Sequence, residues 1–146
     1  MKTSHRIVFD DSRKMDLIPS DSAHLIVTSP PYPMIEMWDD LFIQQNPSIR
    51  KALKNREGPQ AFDLMHEILD QVWLEVHRIL ISGGIACINI GDATRTIGDN
   101  FSLYANHARI LSSLIRIGFS ALPIILWRKQ TNAPNKFMGS GMLPAG

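Results

Sequence analysis

The chain has 146 residues, of which 45% are hydrophobic and 20% are charged, and its formal net charge is +1; these values are typical of one soluble globular domain. Its single cysteine, Cys87, excludes an internal disulfide framework, and no Cys/His group has zinc spacing. The longest apolar stretch near the end of the chain is far short of the ~20 residues that span a bilayer. The first residues lack the apolar core of a signal peptide, so we expect a cytoplasmic protein, and we expect no metal site.

The first predicted elements are short. Residues 7–9 (Ile-Val-Phe) indicate a buried strand that closes on the polar residues 10–12, Asp-Asp-Ser. Residues 13–18 have room for one or two helical turns, because Pro19 stops any further helix. Residues 24–27 (His-Leu-Ile-Val) predict a second strand.

The second strand runs into Thr28-Ser29-Pro30-Pro31-Tyr32. Proline fixes its own φ and pushes the preceding residue out of the helical region, so Ser29 and Pro30 are both held extended. The Ser29 hydroxyl and the Pro30 carbonyl therefore point in defined directions, beside the flat face of Tyr32. Acceptors next to an aromatic face suit a planar heterocycle with an exocyclic amino group. The alternative interpretation is a strand end followed by a Pro-Pro turn.

The middle of the chain combines an irregular segment with a clear helix. Residues 33–60, interrupted by Pro47 and Gly58-Pro59, predict a mobile insertion beside the pocket, with short helices near 41–42 and 49–55. Residues 61–80 carry apolar side chains at steps of three and four, which predicts an amphipathic helix ended by Ser82-Gly83-Gly84.

The last third continues the alternation of strands and helices. A near-continuous apolar run, 85–90, predicts a parallel strand, closed by Gly91-Asp92. Residues 101–117 predict a second amphipathic helix, 121–127 a further strand, and the chain from 130 onward a loop-like tail. The pattern predicts an α/β fold with a mostly parallel sheet and flanking helices.

Polar clusters follow the predicted strands at 10–12, 28–32, 89–92 and 128–129. Ligands of such sheets gather at the carboxyl ends of the strands, so these clusters predict one site. After Asp99 the chain has no acidic residue, although five basic residues follow. That segment either faces phosphates or is an ordinary solvated surface.

The string Thr28 to Tyr32 resembles the catalytic motif of the amino-methylating DNA methyltransferases, and its Ser-Pro-Pro-Tyr form is most similar to the N4-cytosine branch. The linear order resembles the permuted beta group of that family, which has a Rossmann-like fold. The resemblance covers nearly the whole chain. It rests further on 8–32, on 71–80 with Gly83-Gly84, on Gly91-Asp92, and on 124–129 with Asn132 and Pro134.

The resemblance implies roles for individual residues. Ser29-Pro30-Pro31-Tyr32 would be catalytic: Ser29 and Pro30 accept the amino hydrogens of a flipped base, and Tyr32 stacks on it. Asp11 and Thr28 would bind the cofactor, S-adenosyl-L-methionine; Asp11 accepts from its adenine amino group, although an Asp-Asp-Ser cluster also suits a helix N-cap.

The same resemblance predicts a wall for the target-base pocket, formed by Asn89, Asp92 and Trp127. Two of these residues also have a structural interpretation. Asn89 also fits a hydrogen-bonded strand-end asparagine, and Trp127 also fits a core position. As an amide, Asn89 would orient the base without removing a proton.

The implied function is methylation of cytosine N4 in double-stranded DNA, by direct transfer to an extruded base, in a restriction–modification system. The family's glycine-rich cofactor motif, Phe-x-Gly-x-Gly, is absent from the sequence. Residues 1–146 therefore resemble a single, incomplete catalytic domain, and a second polypeptide carrying that motif is a candidate partner. The alternatives are the same chemistry on adenine N6, a non-catalytic fragment that needs a partner half, and an unrelated small Rossmann-like domain.

Overall fold

A parallel pair of strands carries the predicted site in the structure, a computed structural model that describes residues 2–127. Strand β1 (Ala23–Thr28) lies beside β2 (Leu80–Ile88). The pairing runs in register from Leu25↔Ile85 to Thr28↔Ile88, so both strands end at the same edge. The sequence prediction placed strands at 24–27 and 85–90; both exist, and the second begins five residues earlier.

Four helices and a hairpin complete the described part. A 3-10 turn (Glu36–Trp38) precedes α1 (Asp39–Gln45) and α2 (Ser48–Lys54), and the long helix α3 (Gly58–Ile79) follows. Strands β3 (Ala93–Ile97) and β4 (Asn100–Tyr104) form an antiparallel hairpin, and α4 (Asn106–Ile117) closes the described order. The prediction of an α/β fold with a parallel sheet and flanking helices is confirmed.

Helix α3 is the centre of the core. Its apolar side chains recur at helical spacing, Pro59 occupies the first turn, and His77 and Arg78 lie in the last turn, where cations favour the helix dipole. One face of the helix is fully buried; it includes Ala61, Met65, Leu69, Trp73 and Val76.

The segment 33–60 contributes to this core. Phe42 of α1 and Ile49 and Ala52 of α2 are buried in the same cluster as α3. The short helices predicted near 41–42 and 49–55 are confirmed. Mobility of this segment stays a prediction, as does the division of the chain into one incomplete domain.

Two predicted N-terminal elements are absent from the structure. Residues 7–9 pair with no strand, and Phe9 is 96% exposed. A run of three apolar residues needs a neighbouring strand, and β2 is the only partner of β1 within residues 2–127. Residues 13–18 form two isolated turns instead of a helix, closed by Lys14 N–H to the Asp11 carbonyl and Ile18 N–H to the Met15 carbonyl.

The glycines at 83 and 84 do not end α3. The helix ends at Ile79 and passes directly into β2, where the pairing jumps from Ala23↔Leu80 to Leu25↔Ile85. The extra residues of β2 form a bulge there, and Gly83 has φ +79°, which glycine adopts without strain.

The predicted helix 101–117 is shorter than expected. Its first residues belong to β4, where Phe101 and Leu103 are exposed and Tyr104 is buried. That alternation has the period of a strand, and α4 begins only at Asn106. Residues 121–127 form no strand either: no described strand pairs with them, and Ile125 is 92% exposed.

An ion pair joins the hairpin to α1. Arg95 of β3 donates from both terminal nitrogens to the Asp39 carboxylate, at 2.8 and 2.6 Å, and both side chains are less than one-fifth exposed. The hydrogen-bonded carboxylate raises the pKa of Arg95 above its ordinary value. The predicted tail from 130 and the basic residues 128–129 lie outside the described residues. Within residues 2–127 no helix is long and apolar enough to cross a membrane.

Candidate active site

The ends of β1 and β2 meet at one edge of the parallel pair. The N–H of Asn89 donates to the Thr28 carbonyl at 2.8 Å, one residue beyond the last pair, Thr28↔Ile88. Thr28–Tyr32 and Asn89–Asp92, which are far apart in sequence, therefore adjoin. The sequence predicted that the polar clusters after the strands share one edge, and the clusters after β1 and β2 do so.

Tyr32 connects the two clusters. Its hydroxyl donates to the Asn89 carbonyl at 3.4 Å and lies 3.5 Å from the Ser29 hydroxyl, where either oxygen can be the donor. A methyl group placed on Gly91 would lie 3.4 Å from the Tyr32 ring, so the ring covers this glycine closely. Both hydrogen bonds are long, so the tyrosine hydroxyl can exchange them for a ligand.

Free acceptors surround this tyrosine. Within residues 2–127 the Pro30 carbonyl accepts no hydrogen bond, and the Asn89 side-chain amide makes none. The Ser29 hydroxyl is exposed, and its one hydrogen bond to a described residue is the long contact with Tyr32. Among the described residues this edge therefore offers polar groups that are available to a ligand, and the prolines at 30 and 31 stiffen the backbone that carries Ser29 and Pro30.

The backbone turns sharply after Tyr32. The N–H of Ile35 donates to the Tyr32 carbonyl at 3.2 Å, and Met34 has φ +68°, in the left-handed region. That conformation costs a non-glycine residue about 1 kcal/mol or more. Met34 is 1% exposed, and its N–H lies 3.4 Å from the Met65 sulfur, so packing against α3 holds the strained turn in place.

Asn106 ties the two loops of the site together. Its side-chain nitrogen donates to the Pro33 carbonyl and to the Gly91 carbonyl, each at 3.1 Å, and the residue is fully buried. One amide group thus fixes the chain directly after Tyr32 and two residues after Asn89. Sequence reasoning missed this residue, because it lay inside the predicted helix 101–117; an asparagine at the true first position of α4 is the only signal.

His66 orients that amide. Its Nε2 lies 2.9 Å from the Asn106 side-chain oxygen, and its Nδ1 is buried without a partner among the described residues. Burial lowers the pKa of His66 to about 4, so the ring is neutral at pH 7. We assign the proton to Nε2, because the amide oxygen can only accept.

Asp92 has a structural role in this arrangement. Its carboxylate accepts from the backbone N–H of His107 at 3.1 Å and lies 2.8 Å from His107 Nδ1. A carboxylate at the first turn of α4 satisfies an unpaired helix N–H and favours the helix dipole. His107 is a second residue that sequence reasoning missed.

The Asp11 carboxylate makes its hydrogen bonds within its own turn. The Asp11 carboxylate accepts from the backbone N–H and the guanidinium of Arg13, which lowers the pKa of Asp11 below its ordinary value. This is a turn cap, close to the helix N-cap alternative, and Asp11 keeps 49% of its side chain exposed. Trp127 is 70% exposed at the end of the described chain, which excludes the core alternative within residues 2–127.

No group of three His, Cys, Asp or Glu side chains in residues 2–127 is arranged to hold a metal ion. The edge presents hydrogen-bond acceptors beside one aromatic ring.

Comparison with known proteins gives relatives over nearly the whole chain. A family model described as DNA methylase, for N6 and N4 methyltransferases, matches residues 23–141. The Type II methyltransferase M.MjaI of Methanocaldococcus jannaschii is 53% identical over 153 residues, covering 97% of this chain and 50% of that protein. The Type II methyltransferase M.MthZI of Methanothermobacter thermautotrophicus is 53% identical over 145 residues, covering 99% of this chain and 41% of that protein. The chain thus spans half or less of these relatives.

Solved structures are similar as well. A Thermus thermophilus protein assigned as a DNA modification methylase superposes with a TM-score of 0.67 at 27% identity, over 93% of this chain and 50% of that one. The same protein complexed with S-adenosyl-L-methionine gives a TM-score of 0.63 at 29% identity, over 88% of this chain and 48% of that one.

Proposed function

The chain belongs to the DNA methylase family, and from that premise we propose that it is the catalytic part of an S-adenosyl-L-methionine-dependent DNA methyltransferase of a type II restriction–modification system. The proposed target is the N4 amino group of cytosine. The observation that carries the proposal is the Tyr32 hydroxyl lying between Ser29 and the Asn89 carbonyl, at the common edge of two parallel strands.

The acceptors at this edge suit an exocyclic amino group. The lone pair of the cytosine amino nitrogen is delocalised into the ring, which makes it a weak nucleophile. Acceptance of its two N–H groups by the Ser29 hydroxyl and the Pro30 carbonyl favours a tetrahedral nitrogen and frees the lone pair. Proline on both sides of this carbonyl fixes its direction before the base arrives.

The transfer itself needs no covalent enzyme intermediate. S-adenosyl-L-methionine supplies an electrophilic methyl group on its sulfonium sulfur. A bond forms between the amino nitrogen and the methyl carbon, the sulfur–methyl bond breaks with its electron pair going to sulfur, and the amino group loses one proton to water. The contribution of this chain is to position the nitrogen and stabilise its developing charge.

The target base has to leave the duplex to reach this edge, at a cost of a few kcal/mol. Stacking on the Tyr32 ring and hydrogen bonds to the base offset that cost. The free amide of Asn89 would orient the base. Asp92 would position one wall of the pocket, because its carboxylate binds His107 at the start of α4. Trp127 stays a proposed wall residue.

We propose that Asp11 and Thr28 bind part of the cofactor. Asp11 has an exposed carboxylate that can accept from the adenine amino group, provided that it shares its oxygens with Arg13. Thr28 places a hydroxyl at the edge where β1 ends. We propose that the methionine end of the cofactor is held by polypeptide outside residues 1–146, in the same chain or in a second polypeptide.

Adenine N6 is the second candidate target, because its amino group presents the same pair of hydrogens. The Ser-Pro-Pro-Tyr form of the motif supports cytosine. A base pocket with a neutral hydroxyl at Ser29 accepts either base, so the product has to be identified directly.

The test begins with calorimetric titration of S-adenosyl-L-methionine into the 146-residue chain. Radiolabelled methyl transfer to mixed-sequence duplex DNA follows, with the chain alone and with a relative's remaining half supplied as a separate polypeptide. Nuclease digestion and separation of the nucleosides then identifies the product. We expect N4-methylcytosine. N6-methyladenine would overturn the proposed target, and failure of transfer in both arrangements would leave a non-catalytic fragment.

A further inference from the structure

Three basic residues of α2 have no acidic partner in the described part of the chain. Arg50, Lys51 and Lys54, which we call the α2 basic cluster, are exposed, and no carboxylate within residues 2–127 lies within ion-pair distance of them. Most other cations of the described chain are paired. Arg13, Lys14, Arg56, Arg78, Arg95 and Arg109 each have a carboxylate within 4.0 Å.

The three side chains share one face of α2. On a helix, positions 50, 51 and 54 fall within about 100° of one another. Ile49 and Ala52, on the opposite face, are buried in the core. The cluster therefore points away from α3, and with Pro47 and Asn55 it lines a surface groove of about 250 Å³.

This arrangement does not help the helix. Like charges three and four residues apart destabilise an isolated helix by about 0.2–0.5 kcal/mol per pair. Arg50 and Lys54 are four apart, and Lys51 and Lys54 are three apart. Packing explains why α2 forms, but it does not explain why three cations lie together without an anion among residues 2–127.

The C-terminal end of α2, which carries the cluster, adjoins the tip of the β3–β4 hairpin. Arg56, two residues beyond α2, covers Gly98 at the tip of the β3–β4 hairpin and lies 3.5 Å from Asp99. The other end of that hairpin begins directly after Asp92. Five residue pairs at about 3.4 Å each place the tip roughly 15 Å from the site edge.

We propose that the α2 basic cluster binds the phosphate backbone of the DNA next to the target base; this inference rests on the proposed function. A separation of roughly 15 Å corresponds to about four nucleotides along one strand. Arginine and lysine without carboxylate partners can release counterions from phosphates without breaking internal ion pairs. Contacts of this kind fix the position of the protein on the duplex and carry no sequence information.

The test is the salt dependence of DNA binding by the 146-residue chain. Fluorescence anisotropy with a labelled mixed-sequence duplex gives the dissociation constant between about 50 and 200 mM salt. The variant Arg50→Gln/Lys51→Gln/Lys54→Gln should lower the slope of log K against log salt by about 0.9 for each phosphate that the variant no longer neutralises, up to about 2.7.

A matched control removes the same charge elsewhere. The variant Lys2→Gln/Arg6→Gln/Lys14→Gln changes three exposed cations near the N-terminus. Its slope should stay close to that of the parent chain. Equal reductions in both variants would mean a net-charge effect and would overturn the proposal, as would an unchanged slope in the α2 variant or a parent chain that does not bind DNA. Circular dichroism and the melting temperature show whether each variant is folded.

Two further measurements distinguish DNA binding by the α2 basic cluster from binding of an acidic polypeptide and from a role in catalysis. Titration with poly-glutamate in place of DNA tests for an acidic polypeptide partner. If the triple glutamine variant weakens binding of poly-glutamate but not of DNA, the proposed DNA contact is wrong. The variant Ser29→Ala tests independence from catalysis, and it should keep the parent slope. A chain that methylates DNA without any dependence on the cluster contradicts only this inference. Cluster-dependent binding without methyl transfer contradicts only the proposed reaction.

Discussion

His66 Nε2 lies 2.9 Å from the side-chain oxygen of Asn106, and both residues are fully buried. Because the oxygen of Asn106 is held by the histidine, its NH2 group faces the carbonyls of Pro33 and Gly91. The two loops that carry Tyr32 and Asn89 are thus connected through one amide, from beneath the site.

Replacing Asn106 by aspartate should loosen this connection. A carboxylate cannot donate, so the buried Pro33 carbonyl and the partly buried Gly91 carbonyl lose their partner and face a negative charge. We expect the free energy of unfolding to fall by about 3 kcal/mol. Urea unfolding measures the change, and Asn55→Asp, at an exposed position, is the control, with an expected effect within about 0.5 kcal/mol. Equal stability of the two variants would contradict the role of Asn106.

His66 should make the protein less stable in mild acid. Burial lowers the pKa of His66 from 6.5 to about 4, so between these values the unfolded chain binds a proton that the folded chain excludes. Stability therefore falls as the pH falls through this window, by about 2 kcal/mol between about pH 7 and pH 5. Urea unfolding across this range measures it. His66→Gln should lose most of the slope while His5→Gln, at an exposed position, keeps it; the same slope in both variants would exclude His66 as its source.

Ser29→Ala should reduce methyl transfer more than it reduces binding. The substitution removes one proposed acceptor of the amino hydrogens, and a single such group typically changes turnover by about 100-fold. Steady-state kinetics on the assembled enzyme measure kcat and KM separately. Ser120→Ala, an exposed serine outside the site, is the control. Unchanged turnover in the Ser29 variant would remove its catalytic role.

Asp39→Asn should destabilise the contact between α1 and the hairpin. The substitution leaves Arg95 partly buried without its carboxylate, at a cost of about 3 kcal/mol. The exposed pair Lys14–Asp16 is the natural comparison, because Asp16→Asn removes the same charge where the two side chains are 77% and 67% exposed. That change should cost less than about 1 kcal/mol. Thermal unfolding of both variants decides the point, and equal shifts would mean that the Arg95 pair is as weak as the exposed one.

Gly58→Ala should be destabilising, although alanine is ordinarily the better helix former by about 1 kcal/mol. A Cβ at Gly58 would overlap the Tyr104 hydroxyl and lie 3.3 Å from Ile97. We expect a loss of about 2 kcal/mol, typical of overpacking. In a double-mutant cycle, Tyr104→Phe should recover part of that loss, because it removes the overlapping oxygen. A cycle with no coupling would show that the clash is relieved elsewhere.

The sequence was sufficient for elements with a strong local pattern. Apolar spacing identified α3, whose apolar face is buried in the core. A continuous apolar run identified β2, although only Leu80, Ala86 and Ile88 pack against the core while Ile85 and Cys87 are exposed. The resemblance carried by Thr28 to Tyr32 identified the family. The sequence was misleading at 7–9 and 121–127, where apolar residues predicted strands, because a strand requires a neighbour and local sequence does not contain one.

By itself, then, the sequence determined the α/β class, the family, and the edge at which Ser29 and Tyr32 lie, since proline stiffness and strand periodicity are local properties. Only the tertiary structure showed which residues hold the two loops of that edge together. His66 and Asn106 are 40 residues apart, and Asn106 and Pro33 are 73 apart. Their hydrogen bonds arise because α3 and α4 pack side by side, and no spacing along the chain records that contact.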